Sequence, residues 1–235
     1  MTGKVVVITG ASRGIGAGLV TAYRRRGWAV VATARTIKPS RDPDLLAVAG
    51  DIADPVTAGR ITGAALDRFG RIDTLVNNAG VHLSKPFTGY TPADYTRAVG
   101  VSLTGFFWLT QAAIAEMAAR YGGHVVTVTA TLAEAGDCGT PSVLAALTKG
   151  GLAAATRSLA IEYAAYGIRV NAVSPGIIAT PLHPADSYDR LGDRLPPLGR
   201  VGQVSDVVDS VLFLESSPYI TGEILLIDGV HIAGH

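Results

Sequence analysis

Thr9-Gly10-Ala11-Ser12-Arg13-Gly14-Ile15-Gly16 follows directly on the apolar run Val5-Val6-Val7-Ile8 and leads into a segment of helical period at residues 15–26. A strand that ends in this turn and restarts as a helix is the context in which such glycines bind a dinucleotide. Gly10 permits the tight turn, Gly14 lets the backbone approach a pyrophosphate, and Gly16 lets the helix pack close to the strand. The free N–H groups at the start of that helix, with Ser12 and Ile15 in the same turn, then face the phosphates.

Outward from this turn, short β-branched apolar runs recur at residues 4–9, 29–33, 45–49, 74–77, 124–129, 169–174 and 224–227. Segments of helical period lie between most of them, at 15–26, 55–69, 92–121, 143–166 and 203–214. The strands show little apolar/polar alternation, as burial on both faces requires. Alternating strands and helices with buried strands predict a single-domain, doubly wound α/β (Rossmann) fold over residues 1–235, with a seven-stranded parallel sheet and helices on both faces. One crossover differs. Only the nine residues 36–44 separate Arg35 from Leu45, and Pro39 and Pro43 are among them. A parallel connection usually needs about a dozen residues or more. A loop therefore replaces the helix between strands two and three.

Composition agrees with one globular unit. Of 235 residues 48% are hydrophobic and 17% charged, and the formal charge is +1. So balanced a chain has no large field to draw nucleic acid or anionic lipid, and neither partner is expected. No uninterrupted apolar run approaches the length of a membrane span, and the apolar N-terminal run is too short for a signal segment, so the cytoplasm is the expected compartment. Cys138 is the single cysteine, which excludes an internal disulfide and a multi-cysteine metal site; no metal is expected. The 28 glycines form neither a tract nor a period. That leaves backbone tasks at particular positions, among them 10, 14, 16, 80 and 176.

In a dinucleotide fold an acidic residue about 20 positions past the glycines holds the ribose 2′-hydroxyl and selects NAD. Here that place reads Thr33-Ala34-Arg35, with Arg13 inside the turn and Lys38 just beyond. Cations without a carboxylate suit a 2′-phosphate, so NADP(H) is the expected cofactor.

With these residues in place the chain resembles the short-chain dehydrogenase/reductase family from end to end. The resemblance rests on the glycine turn, Gly50-Asp51-Ile52 after the third strand, Asn77-Asn78-Ala79-Gly80 after the fourth and Lys149 on a long helix. Pro175-Gly176 after the sixth strand and Ile220-Thr221-Gly222 before the seventh complete it. It implies that Asp51, with Ile52, takes the adenine, and that Asn78, Ala79 and Gly80 support the middle of the cofactor. It further implies that Lys149 holds the ribose, and that Ile178 and Thr180 hold the nicotinamide carboxamide beside Pro175 and Gly176. Homo-oligomers, tetramers or dimers, are implied as well. The segment 181–198 corresponds to the family's substrate loop, and its mixture of Leu182, Tyr188, Leu191 and Leu195 with charged residues suggests a partly apolar small molecule.

The family's catalytic set is altered. Its tyrosine lies four residues before the lysine, one helical turn away, where the ammonium eases proton transfer from the phenol. Ala145 stands there. The family's serine falls on Ala130, or with a slip of one on Thr129 or Thr131, and its helix asparagine appears as Ser102. The stretch 131–136 is also similar to the 2,4-dienoyl-CoA reductases, whose displaced tyrosine would fall near Leu132. A developing alkoxide still needs stabilisation. Lys149 acting through water and the ribose hydroxyls with Thr129, Thr131 or Ser142 as donors, a histidine at His82 or His183, or an acidic group on the substrate are the open arrangements. Asp137 and Cys138 lie in a nearby loop. The expected activity is NADP(H)-dependent ketone or enone reduction with a non-standard proton source. The alternative is a non-redox NADP(H)-binding protein: a sensor, an inactive partner subunit or a cyclase using the cofactor as scaffold.

Overall fold

The computed structural model describes residues 3–136, 141–181 and 196–232. Asp137, Cys138, His183 and most of the substrate loop, residues 182–195, lie outside the described residues.

The strands of the main sheet are β1 (Val5–Thr9), β2 (Ala29–Ala34), β3 (Leu45–Ala49), β4 (Thr74–Asn77), β5 (Gly123–Val128), β6 (Ile168–Pro175) and β9 (Ile224–Ile227), in the order β3-β2-β1-β4-β5-β6-β9. All pairings are parallel. The order reverses between β1 and β4, and a crevice opens at the carboxyl ends of strands at such a switch point. The fold is the expected Rossmann-type α/β fold. A further short pair, β7 (Ile178–Ala179) with β8 (Gly202–Gln203), was not foreseen.

Every residue of β1 is buried because the sheet is covered on both sides. Val5 and Val7 pack with α2 (Pro55–Phe69), α4 (Gly105–Ala118) and α5 (Val143–Tyr163), whereas Val6 and Ile8 pack with α1 (Gly14–Arg25) and α6 (Val204–Ser216). Each such side chain contributes about 1.5–3 kcal/mol on burial. Local signals set the helix ends. The Asp54 carboxylate accepts the Val56 N–H at 3.0 Å, Pro55 fills the first position of α2, and Gly70 closes it at φ +73°. Between β2 and β3 there is no helix, as the two prolines and the short spacing required.

The segment expected as one helix over 92–121 is instead α3 (Pro92–Val99), one π-helical turn (Gly100–Thr104) and α4. Its run Pro92–Ala118 is 27 residues long and contains an 18-residue window of mean hydropathy 1.4, enough by length and composition to cross a bilayer. Here it packs as a core helix, with Leu109, Ala113 and Met117 fully buried between α2 and the sheet.

Candidate active site

A cavity of about 850 Å³ opens at the carboxyl ends of the strands, within the range of small-molecule sites. At one end it is lined by the glycine turn (Gly10, Ser12, Arg13, Gly14 and Ile15), by Arg35 after β2, and by Asp51 and Ile52 after β3. Asn78, Ala79 and Gly80 after β4 line its middle. The far end is lined by Thr129 and Thr131 after β5, by Lys149 on α5, and by Pro175, Gly176, Ile178 and Thr180 after β6.

The turn is built to leave backbone exposed. Gly10 and Gly14 have φ of +64° and +56°, a region side chains disfavour. Arg13, at the N-cap of α1, is extended and makes no side-chain cap, so the first N–H groups of α1 keep their donors for a ligand. Thr9 at the end of β1 and Asn78 just after β4 brace this turn. Thr9 Oγ1 accepts the N–H groups of Asn78 at 2.9 Å and Ala79 at 2.8 Å, and Asn78 Nδ2 donates to Thr9 O at 2.8 Å. Asn78 thus holds the turn as well as lining the cavity. Arg13 and Arg35 are not engaged in ion pairs among the described residues, whereas Arg24, at the other end of α1, is tied to Asp42 and Asp44. The uncapped helix, the glycine cradle and two uncommitted guanidiniums fit a phosphorylated dinucleotide.

Two expected site residues do not line the cavity. Gly16 lies beneath it: a Cβ there would overlap Gly10 O and stand 2.7 Å from Asn78 Nδ2, so its task is the close strand–helix approach. Ser102 is buried in the π-helical turn, and its Oγ makes no hydrogen bond among the described residues. Its neighbour Val101, in the same turn, lines the wall.

The reacting end is sparsely furnished. Thr129 Oγ1 donates to Val173 O at 3.0 Å and Thr131 Oγ1 to Pro175 O at 3.5 Å, so both hydroxyl protons point to β6 carbonyls. Lys149 is buried, and its Nζ donates to Val128 O at 2.8 Å. Burial pushes its pKa down to about 8. One turn before it Ala145 lines the same wall, with Ala130 and Leu132 beside it, and no phenol is among the described lining residues. His82 also lines the cavity, as does His231, which the sequence reading missed. The signal for His231 was the turn pair Asp228-Gly229 after the last strand. The Asp228 carboxylate accepts the N–H groups of Val230 at 2.9 Å and Ile232 at 3.0 Å, Val230 adopts φ +71°, and the chain folds back towards the cavity.

At the opposite, amino ends of the strands lies a buried polar cluster with no counterpart in the sequence reading. Glu215 Oε2 accepts from Tyr23 Oη and Thr74 Oγ1, both at 3.0 Å, and faces His124 Nδ1 at 3.1 Å. Arg169 donates to the carbonyls of Leu214 and Glu215, and Asn171 Nδ2 approaches His124 Nε2 at 3.1 Å. Burial, outweighing Glu215, holds the His124 pKa below its ordinary value.

Comparison with known proteins matches this architecture over nearly the whole chain. A family model described as enoyl-(acyl carrier protein) reductase matches residues 10–230. L-rhamnose 1-dehydrogenase (NAD(P)(+)) of Azotobacter vinelandii is 35% identical, over 96% of this chain and 95% of the relative. Among solved structures, ElxO with NADP bound is 27% identical with a TM-score of 0.89, over 98% of this chain and 99% of that one. The 3-ketoacyl-(acyl-carrier-protein) reductase from Brucella melitensis complexed with NADH is 31% identical with a TM-score of 0.89, over 97% and 98%.

Proposed function

The chain belongs to the short-chain dehydrogenase/reductase family and is an NAD(P)-dependent oxidoreductase of that type; from that premise we propose that it is an NADP(H)-dependent ketone or enone reductase that works without a protein phenol. The observation that carries the proposal is the pairing of Lys149 with Ala145 on one wall of a cavity whose opposite end is furnished for a dinucleotide. When bound, the reduced nicotinamide supplies a hydride.

The chain's own residues do the rest. The turn from Gly10 to Ile15 offers N–H donors to the pyrophosphate. Arg13 and Arg35 meet the 2′-phosphate with charge-assisted bonds, which supports NADP(H) over NAD(H). Asp51 accepts from the adenine amino group beside Ile52, and Gly80 lets the backbone come close to the middle of the cofactor. Pro175, Gly176, Ile178 and Thr180 frame the nicotinamide. Lys149 holds the ribose and sets a positive charge beside the developing alkoxide. The apolar wall of Val101, Leu132 and Ile177 suits a partly apolar ketone. We place residues 1–235 in one domain working in the cytoplasm as a homo-oligomer, a reading supported by the exposed Phe107, Trp108 and Leu147 on α4 and α5.

Equilibrium titration tests the cofactor: NADPH should bind more tightly than NADH, and the reverse order would overturn the assignment. Stereospecifically deuterated NADPH tests the chemistry. Deuterium transferred into a ketone, quinone or enone product supports reduction. Product formed without label transfer favours the second reading, a non-redox protein that uses the cofactor as scaffold, to which the alanines at 130 and 145 also point.

A further inference from the structure

We infer that the gap beside Ala145 and the ammonium of Lys149 together form a subsite for an acidic hydroxyl, a phenol or an enol, carried by the ketone itself. The inference rests on the reductase reading and narrows it to a class of substrate.

Lys149 is 9% exposed, and the only hydrogen bond it makes among the described residues is to the neutral carbonyl of Val128. It has no ion pair with a carboxylate among those residues. A buried charge is ordinarily paired, because removing it from water is costly and one neutral acceptor does not offset the loss. The ammonium also sits hard against the chain: a Cβ added to Gly80 would stand 3.2 Å from Nζ. Gly80 thus closes one side of the ammonium and Val128 O holds another.

The direction left open is along its own helix. Ala145 lies one turn away on the same face and on the same cavity wall, and it reaches out only a methyl group. Around this gap Ala130, Leu132 and Val101 supply no polar atom beyond their backbone. Among the described residues, the other titratable groups that line this half of the cavity are His82, from the segment after β4, and His231, from the turn after β9. Asp51 is at the other end, beyond β1, with Arg13 and Arg35. Among the described lining residues, an oxygen that enters the gap thus meets a cation, largely apolar side chains with Thr129 and Thr131 beyond them, and no carboxylate. An oxygen able to carry negative charge is the group these surroundings favour most.

The reaction balances with such a hydroxyl. The carbonyl carbon gains the hydride, its C=O π pair moves to oxygen, and the substrate's neighbouring hydroxyl gives that oxygen its proton. The phenolate or enolate left behind rests on Lys149 and is reprotonated from solvent. NADPH is oxidised, the ketone is reduced, and one solvent proton is consumed.

The test is spectroscopic and needs no turnover. NADP⁺-loaded protein is titrated with 4-nitrophenol, whose anion is read by absorbance, and with 4-nitroanisole, which has the same frame without the acidic hydroxyl. The expected results are tenfold or tighter binding of the phenol and a fall of its half-ionisation by about one pH unit or more, the size expected of a nearby opposite charge. Lys149→Met should remove the ionisation shift. Ala145→Phe, or the smaller Ala145→Leu, should block the phenol while NADP⁺ still binds. Equal affinity for the two probes, or an unchanged phenol spectrum in a folded Ala145→Leu protein, overturns the subsite. Failure of NADP⁺ to bind overturns the cofactor reading instead, and the same two probes on cofactor-free protein then decide the subsite.

Discussion

Replacing Gly16 by alanine exchanges one hydrogen for a methyl group, yet it should damage both stability and cofactor binding. The new Cβ would overlap Gly10 O, with Asn78 Nδ2 at 2.7 Å and Gly10 C at 2.8 Å. None of these can move alone, because Asn78 and Thr9 clamp the turn through the bonds described above. Helix α1 must therefore lift off β1, or the turn must rise into the cavity. Overpacking of this kind costs about 1–3 kcal/mol. For a chain of this size that is a fall in melting temperature of roughly 2–12 °C, at about 2–4 °C per kcal/mol. Displacing the N–H donors by about an ångström should also weaken NADPH binding on the order of 100-fold, the scale on which misplacement is felt in positioned sites. Gly59→Ala on α2 is the matched control, since a Cβ there meets nothing within 4 Å. It should raise stability by roughly 0.5–1 kcal/mol through helix propensity and leave NADPH affinity unchanged. Differential scanning calorimetry and fluorescence titration read both quantities. A Gly16→Ala protein that melts with the parent and binds NADPH equally would refute the reasoning.

Other perturbations address separate parts of the molecule. Arg35→Asp should weaken NADPH by about 10- to 100-fold, the loss of one charge-assisted bond of about 1.5–3 kcal/mol, and spare NADH; equal losses for both nucleotides would count against the 2′-phosphate assignment. His124 is held neutral, its folded pKa lying below the ordinary 6.5, so the unfolded chain binds the proton first. Its contribution to stability is complete above pH 6.5 and is lost as pH falls from there toward the folded value. Glu215 adds a second loss below its ordinary 4.5: burial raises its pKa, but the His124, Thr74 and Tyr23 hydrogen bonds outweigh burial and hold it lower. Urea midpoints between pH 7.5 and 5 should therefore decline in the parent and stay flatter in His124→Gln; parallel curves would exclude the histidine. Ala145→Tyr supplies a protein phenol, and on a ketone lacking its own hydroxyl kcat should rise about 10²- to 10⁴-fold. On a hydroxyl-bearing ketone it should not rise, and a comparable gain on both would show that proton donation never came from the substrate.

What could be read from the chain alone was local or periodic. The glycine turn, the buried strands and the missing helix after Arg35 were legible because each is written in adjacent residues, by φ requirements, burial on both faces and prolines in a short spacer. The cations at Arg13 and Arg35 were legible for the same reason. Less was visible where structure depends on partners distant in sequence. Tyr23 and Glu215 are 192 residues apart, and nothing in either neighbourhood announces the other. The π-helical turn at Gly100–Thr104 was hidden because a single wide turn leaves the apolar pattern of a long helix nearly intact. His231 was missed because its place depends on Val230 adopting a left-handed conformation that β-branched residues seldom take.

A parallel sheet has two unlike ends, and here they are furnished for unlike tasks. Cofactor and substrate residues gather at the carboxyl ends, while Glu215, His124, Arg169 and Thr74 close the amino ends with their own network. No hydrogen bond of the amino-end cluster reaches a cavity-lining residue among the described residues. Substitutions at the two ends should then combine additively, within about 0.3–0.5 kcal/mol, as distant sites without shared partners do. Changes to the cavity wall, Ala145→Tyr among them, should accordingly leave the amino-end network intact. Chemistry can drift at one end of the strands while the fold is held from the other.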